Sequence, residues 1–340
     1  MKTIHTSSTL FLLLISFSAL SLKSQSDELT LFQCPDSSNN FRALSPINDS
    51  STWLASDQSQ VWYFSLPNQW KNRSPKGYEG VLWRDIEAMD DSTAIILSAG
   101  SPALILRTED AGQSWQECFR DDSPGIFFDA FDFWDTHRGL AFADAQESHI
   151  TIIETKDGGK SWQRWDTIPE LKVSPKQGGF AASGTCLHCF DQDSWAIVLG
   201  GAQARILGNH KGQSLKAILA MNDGEATKGA FSIHAKNSDT LIISGGDYRA
   251  DSLSNQSLLW STNTGKSWEA CPFPKSLSQR YWSCVQWQGS HIVLCSRFGM
   301  AYSFDNGRNW QYSSEGFYTC QGQWLSGPKG RIARFNSAYK

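Results

Sequence analysis

The residues of this 340-residue chain best suited to chemistry are three arginines and the aspartates around them. Arg42 and Arg84 each follow an aromatic residue at the start of a strand-like run, Phe41-Arg42-Ala43-Leu44 and Trp83-Arg84-Asp85-Ile86. Arg280 immediately precedes another such run, Tyr281–Val285. A guanidinium presents a planar fork of donors that fits a carboxylate. Asp85, Asp129 and Asp132 fall beside these arginines or in the next run, Phe128–Phe133. If the runs share one end of a common scaffold, Arg42, Arg84, Asp85, Asp129, Asp132 and Arg280 converge as a candidate partner-binding set, or pair with one another across a funnel. Covalent and metal chemistry find less. Tyr248, Tyr281, Tyr302 and Tyr318 are equivalent as nucleophiles, so no catalytic residue is singled out. Cys186-Leu187-His188-Cys189 has metal-ligand residue types, but strand alternation sends its two thiols to opposite faces and no second pair completes a site. No glycine-rich fingerprint follows a strand–helix unit, so no metal and no cofactor are expected.

Repeats supply the elements that would position the arginines. Four eight-residue boxes recur: Thr108–Trp115 with Asp110 and Gly112, Thr155–Trp162 with Asp157 and Gly159, Ser261–Trp268 with Asn263 and Gly265, and Ser303–Trp310 with Asp305 and Gly307. Asp or Asn accepts backbone N–H bonds and closes a tight turn, and Gly supplies a positive φ. The hydroxyl adds a local bond, and Trp buries a large ring where sheets meet. Each box follows a strand-like run such as Ala103–Arg107, so each is read as a structural hairpin turn. Decayed copies end at Trp70 and Leu215. Box ends recur at intervals of about 40–55 residues, a blade-like period.

One unit repeats between boxes: an inner strand opened by an aromatic or small residue, a second strand ending in small residues, a third strand, the box, and a fourth strand. Units open at Phe41, Trp83, Phe128, Ala181, Ala230 and Tyr281. After Trp310 only three strands remain, over Phe317–Cys320, Gln323–Leu325 and Arg331–Phe335. Leu29–Gln33 is expected to supply the fourth and close the ring, which removes open sheet edges. The expected fold is an all-β, seven-bladed propeller, with six blades as the alternative. Its boxes lie on one face, and the starts of its inner strands on the other.

The boxes resemble the Asp-box, or bacterial-neuraminidase repeat. Beyond them, Trp83–Glu87, Ser98-Ala99-Gly100, Ile105–Thr108, Gly179–Thr185, Gly245–Tyr248 and Gly330–Ala333 resemble the photosystem II stability/assembly factor-like family of propellers. The resemblance runs from about Phe41 to Phe335. It implies a seven-bladed propeller that binds protein partners through an arginine-rich patch, and the expected function is a non-enzymatic, assembly-factor-like scaffold. Sialidases share boxes and propeller, but Phe41-Arg42-Ala43-Leu44 keeps only half of their early Phe-Arg-Ile-Pro segment. A sialidase-like glycoside hydrolase or a carbohydrate-binding propeller is the alternative function.

Residues 1–24 read as a signal peptide: Lys2 supplies the cation, and Leu10–Leu22 an apolar run too short to span a bilayer. Residues 25–40 are then an N-terminal segment carrying the ring-closing strand, and 41–340 the propeller. The expected location is periplasmic or extracellular, with a protein partner in the cell envelope and no membrane span in the mature chain. A formal net charge of −4 argues against nucleic acid. Eight cysteines in an exported chain invite disulfides. Cys284 and Cys295 face each other if Gly289-Ser290 is a two-residue turn, and are the candidate pair.

Overall fold

The computed structural model describes residues 28–146, 148–166, 171–174, 176–221, 224–250 and 256–336, so the signal-peptide reading lies outside them. The regular structure of the described residues is almost entirely antiparallel sheet, with one α-helical turn at Lys275–Ser278. The first sheet runs Phe41–Asn48, Ser51–Ser56, Val61–Ser65, Gln69–Asn72. The second is Leu82–Ala88, Ala94–Ala99, Ala103–Thr108, Gln116–Asp121, and the third Phe128–Phe133, Gly139–Gln146, His149–Thr155, Gln163–Arg164. A nine-stranded sheet follows. It holds a meander from Leu187–Phe190 to Gln213–Ile218, a second from Lys228–Ala235 to Glu269–Ala270, and the short strand Gln177–Gly178. The two meanders join where Gly200 pairs with Gly229; a Cβ on Gly229 would stand 2.3 Å from the Gly200 Cα, so only glycine permits the contact. A further sheet spans Cys284–Gln288, His291–Ser296, Gly299–Ser303, Gln311–Ser313.

The closing sheet is built from both chain ends. Thr319–Gln321, Trp324–Ser326 and Arg331–Phe335 take Leu29–Gln33 as fourth strand, with Leu29 opposite Phe335 and Gln33 opposite Arg331. The closing sheet also meets the first one: Ser326 Oγ donates to the Phe41 carbonyl (3.0 Å), Trp324 Nε1 to the Asn48 carbonyl (3.2 Å) and Phe41 N to the Gly327 carbonyl (3.1 Å).

Burial follows from this stacking. Second strands are covered on both faces, and Ser51–Ser56, Ala94–Ala99 and Ser194–Gly201 are buried at every residue. Their near-continuous runs of apolar and small residues are what two-sided burial requires. Fourth strands carry Gln, Glu, Lys and Arg and are largely exposed.

Three inner strands begin later than the sequence pattern suggests, at Leu187, Cys284 and Thr319. Of the residues ahead of them, Phe180–Ala182, Tyr281, Ser283 and Tyr318 line a cavity at the sheet ends. Their aromatic and small residues serve a mouth, and look the same in sequence as a strand start.

Candidate functional site

The boxes repeat one hydrogen-bond network. Gly112 N donates to Thr108 Oγ1 (2.9 Å), Thr108 Oγ1 to Asp110 Oδ1 (2.9 Å), and Ser114 N to Asp110 Oδ1 (2.9 Å). The same bonds recur around Asp157, Asn263 and Asp305 at 2.8–3.0 Å. The residue before the box glycine is also left-handed, with φ near 60° at Ala111, Thr264 and Asn306. Each box glycine touches the sheet before it: a Cβ on Gly112 would lie 2.7 Å from the Arg73 Cβ, and one on Gly307 2.3 Å from the Phe273 ring. The box tryptophans join the same contacts, Trp115 donating to the Arg73 carbonyl at 2.7 Å and Trp310 packing on Phe273 at 4.7 Å. The hydroxyl and the Asp or Asn side chain of each box are thus engaged in closing the turn.

Bonds from the Asn309 backbone and then its side chain hold the Asp305 carboxyl at about 2, below its ordinary 3.8. With the folded value depressed, this contribution is present above pH 3.8 and lost as pH falls through about 2. Asp305→Ala is expected to lower the thermal midpoint by a few degrees, measured by calorimetry at neutral pH, and to erase that acid-limb contribution. An unchanged midpoint contradicts the role.

Inner strands are tied sheet to sheet. Ala88 N donates to Ser45 Oγ (2.9 Å), Phe131 N to Asp85 Oδ2 (2.9 Å), Cys189 N to Asp132 Oδ2 (2.7 Å), Val285 N to Ser232 Oγ (3.0 Å), and Ser283 Oγ to the Tyr318 carbonyl (2.8 Å). Asp85 and Asp132 are therefore clamps. Asp85 is 6 % exposed and also accepts from Ile86 N at 2.9 Å; Asp132 also accepts from Phe133 N (2.8 Å) and meets His188 Nδ1 (2.9 Å). Asp129 is fully buried, and burial first, then the Asp144 carboxylate, push its carboxyl well above the usual range. The three aspartates therefore do not join the arginines at a common opening.

A narrow channel of about 120 Å³ runs between the inner strands, lined by residues such as Leu44, Glu87, Asp132, His188, His234, Gln286 and Gln321. His188 and His234 stack at 4.8 Å. Burial and then His188 hold His234 down at about 3, so it is neutral. Burial and then the Asp132 charge push Glu87 up to about 8 from 4.5, although the side chain is only half-buried by area because it faces the channel. A folded-state value above the unfolded one means that the folded protein binds the extra proton. Stability is then full below pH 4.5 and falls as pH rises toward about 8. Channel water screens the charge, so the loss is on the order of 1–3 kcal/mol. Glu87→Gln should flatten this slope in urea melts at pH 5, 7 and 9; a slope equal to that of the unaltered protein contradicts the assignment.

A larger cavity, about 460 Å³, opens at the end where inner strands begin. Arg42 and Arg84 line it, as their shared position requires. Arg280 does not: it follows the Lys275–Ser278 turn and lies over the Tyr312 ring at 4.3 Å, its Nη1 donating to the Tyr312 hydroxyl (2.7 Å). Arg297, from the turn after His291–Ser296, takes the third place. It went unnoticed in the sequence because no repeat marks that turn. The aromatic wall gathers Tyr248, Tyr281 and Tyr318, which the sequence offers only as equivalent tyrosines. Phe180 stacks flat on Phe231 (3.9 Å, 4°), Tyr281 meets Phe231 edge-on at 5.0 Å, and Tyr248 and Tyr318 complete it.

The cations here are unequally satisfied. Arg42 Nε bonds Asp57 at 3.2 Å, and its guanidinium lies 3.9 Å from the Tyr318 ring centre. Arg297 Nη2 donates to the Tyr248 carbonyl at 2.8 Å. Arg84 Nε is buried and bonds nothing among the described residues. Burial first and Arg42 second lower the Arg84 pKa, against a smaller opposing pull from Asp57 and Tyr318. Such a site accommodates an anion flanked by apolar or aromatic groups. No group of three His, Cys, Asp or Glu among the described residues is placed to hold a metal.

This architecture is that of the β-propellers. Among solved structures, the chain is similar to YCF48 bound to D1 peptide, with a TM-score of 0.67 and 14% identity over 91% of this chain and 97% of that one. It is also similar to a catalytically inactive virginiamycin B lyase from Staphylococcus aureus with quinupristin (0.64, 10% identity, 91% and 98% covered). A third is the WD40 beta propeller domain of Doa1 (0.60, 11% identity, 91% and 96% covered). At these identities the likeness establishes the fold alone. No protein-family profile and no curated protein matches the sequence.

Proposed function

We propose that the protein is an exported, seven-bladed propeller scaffold that binds an acidic segment of an envelope protein in the arginine–aromatic mouth. The observation that carries this reading is Arg84, a desolvated guanidinium whose Nε has no hydrogen-bond partner among the described residues, beside a second cation at the edge of a 460 Å³ opening. A carboxylate bound there supplies the missing acceptor and relieves the repulsion. Peptide binding is one of the uses to which this fold is put, as in YCF48 bound to D1 peptide. Blade count is supported by the strand pairing: five four-stranded sheets, and two further meanders in the nine-stranded sheet. Export is supported by the leader-like residues 1–24, and no helix among the described residues is long and apolar enough to cross a membrane.

The aromatic wall favours a carbohydrate ligand as second reading, because sugar faces stack on such rings. One experiment separates the two: a displayed peptide library and a glycan array are probed with the same purified protein. The proposal expects enrichment of Asp/Glu-containing peptides next to apolar residues, lost in high salt. Glycan binding without peptide enrichment contradicts it.

A further inference from the structure

Three thiols meet at the ring's seam. Cys284 and Cys295 stand opposite each other in register on adjacent strands, as the hairpin reading requires. The sulfur in contact with Cys284, however, comes from the next sheet: Cys284 Sγ and Cys320 Sγ are 3.5 Å apart, and Cys284 Sγ also approaches the Cys320 carbonyl at 3.6 Å. Cys295 adjoins the same pair. All three are free thiols, with Cys284 and Cys295 fully buried and Cys320 3 % exposed.

We propose that Cys284 and Cys320 form a redox-controlled staple that locks the closing sheet to its neighbour. The two sulfurs are within van der Waals contact, so a bond needs an approach of roughly 1.5 Å, within the range of small χ1 adjustments. A Cys284–Cys295 bond would join strands already hydrogen-bonded to each other, in the cross-strand geometry that disulfides tolerate poorly. The Cys284–Cys320 bond adds a tie between sheets, where it is needed. Cys320 is the central residue of the three-residue inner strand Thr319–Gln321, which pairs with Trp324–Ser326 over three residues. That strand belongs to the sheet on which ring closure depends.

The oxidant is a small disulfide, RSSR, of the glutathione type. One cysteine thiolate attacks RSSR, forming a mixed disulfide and releasing RS⁻. The second thiolate attacks the protein sulfur of that mixed disulfide, forms the Cys284–Cys320 bond and releases a second RS⁻. The two protons lost by the cysteines end on the two RSH, and RSSR takes up the two electrons. Burial pushes the Cys284 thiol well above its ordinary value, so exchange belongs to the open seam, before the sheets close or while they part.

The test refolds the full chain in oxidised/reduced glutathione and, separately, in dithiothreitol. Denaturing alkylation and peptide mapping follow. The expected result is a cross-linked peptide pair carrying Cys284 and Cys320, formed equally in Cys295→Ala, and a thermal midpoint at least about 5 °C above that of the reduced protein. The proposal is overturned if both cysteines carry the alkyl label after oxidation, if either pairs with Cys295, or if the link forms without raising the midpoint.

Discussion

Arg84→Met separates binding from folding, with opposite signs on the two. The acidic peptides selected by the unaltered protein bind the variant at least about 30-fold more weakly, the effect of losing roughly 2 kcal/mol or more from a buried charge pair. Isothermal titration measures it directly. The fold itself becomes no less stable. Methionine keeps the stem's packing and removes a cation that burial and Arg42 both penalise. A residue retained at a cost to the fold is the signature of a functional site. Arg280→Met serves as the control, since its guanidinium lies over Tyr312 outside the mouth, and leaves peptide affinity unchanged. Equal losses in the two variants, or none in Arg84→Met, contradict the placement of the site.

The second large effect lies in the sheet packing. Trp53 is fully buried on a second strand, meeting Tyr63 edge-on at 5.4 Å and the box residue Trp115 at 6.3 Å and 88°. It therefore fills the space between the first sheet and the second, where Trp115 is fixed by its bond to the Arg73 carbonyl. Trp53→Ala leaves a cavity lined by aromatic rings that cannot collapse, and destabilises by about 3–5 kcal/mol in chemical denaturation. Trp53→Phe costs far less, because Trp53 Nε1 has no hydrogen-bond partner among the described residues to lose. Similar losses from both substitutions would mean that the indole N–H, and not its volume, holds the position.

What the sequence made legible follows the range of the forces involved. A box is closed by bonds within eight residues, such as Ser303 and Asn309 on Asp305, so residue identity alone specifies its shape. Ring closure was legible because three strands after Trp310 leave one edge unpaired, and Leu29–Gln33 is the apolar segment able to cover it. The mouth was legible only where the repeat reached it. Arg42 and Arg84 share a repeat position and share a cavity. Arg297 and Tyr248 come from turns between second and third strands, which the Asp-box repeat does not reach, and Tyr281 looks like a strand start. Asp85 and Asp132 turned inward because the neighbouring inner strand offers unpaired N–H groups that a carboxylate satisfies. The thiol cluster was half legible: register placed Cys284 opposite Cys295, but Cys320 arrives through ring closure, thirty-six residues away in the chain.

Site-specific photocrosslinking in the native host locates the partner on the ring. A photoreactive phenylalanine analogue replaces Tyr248, 38 % exposed at the mouth, or Ile218, 67 % exposed on an outer strand. One adduct is expected from the Tyr248 position, mapping by mass spectrometry to an acidic segment of an envelope protein and lost when Arg84→Met is added. The same adduct from Ile218 and none from Tyr248 would place the partner elsewhere on the ring and contradict the account.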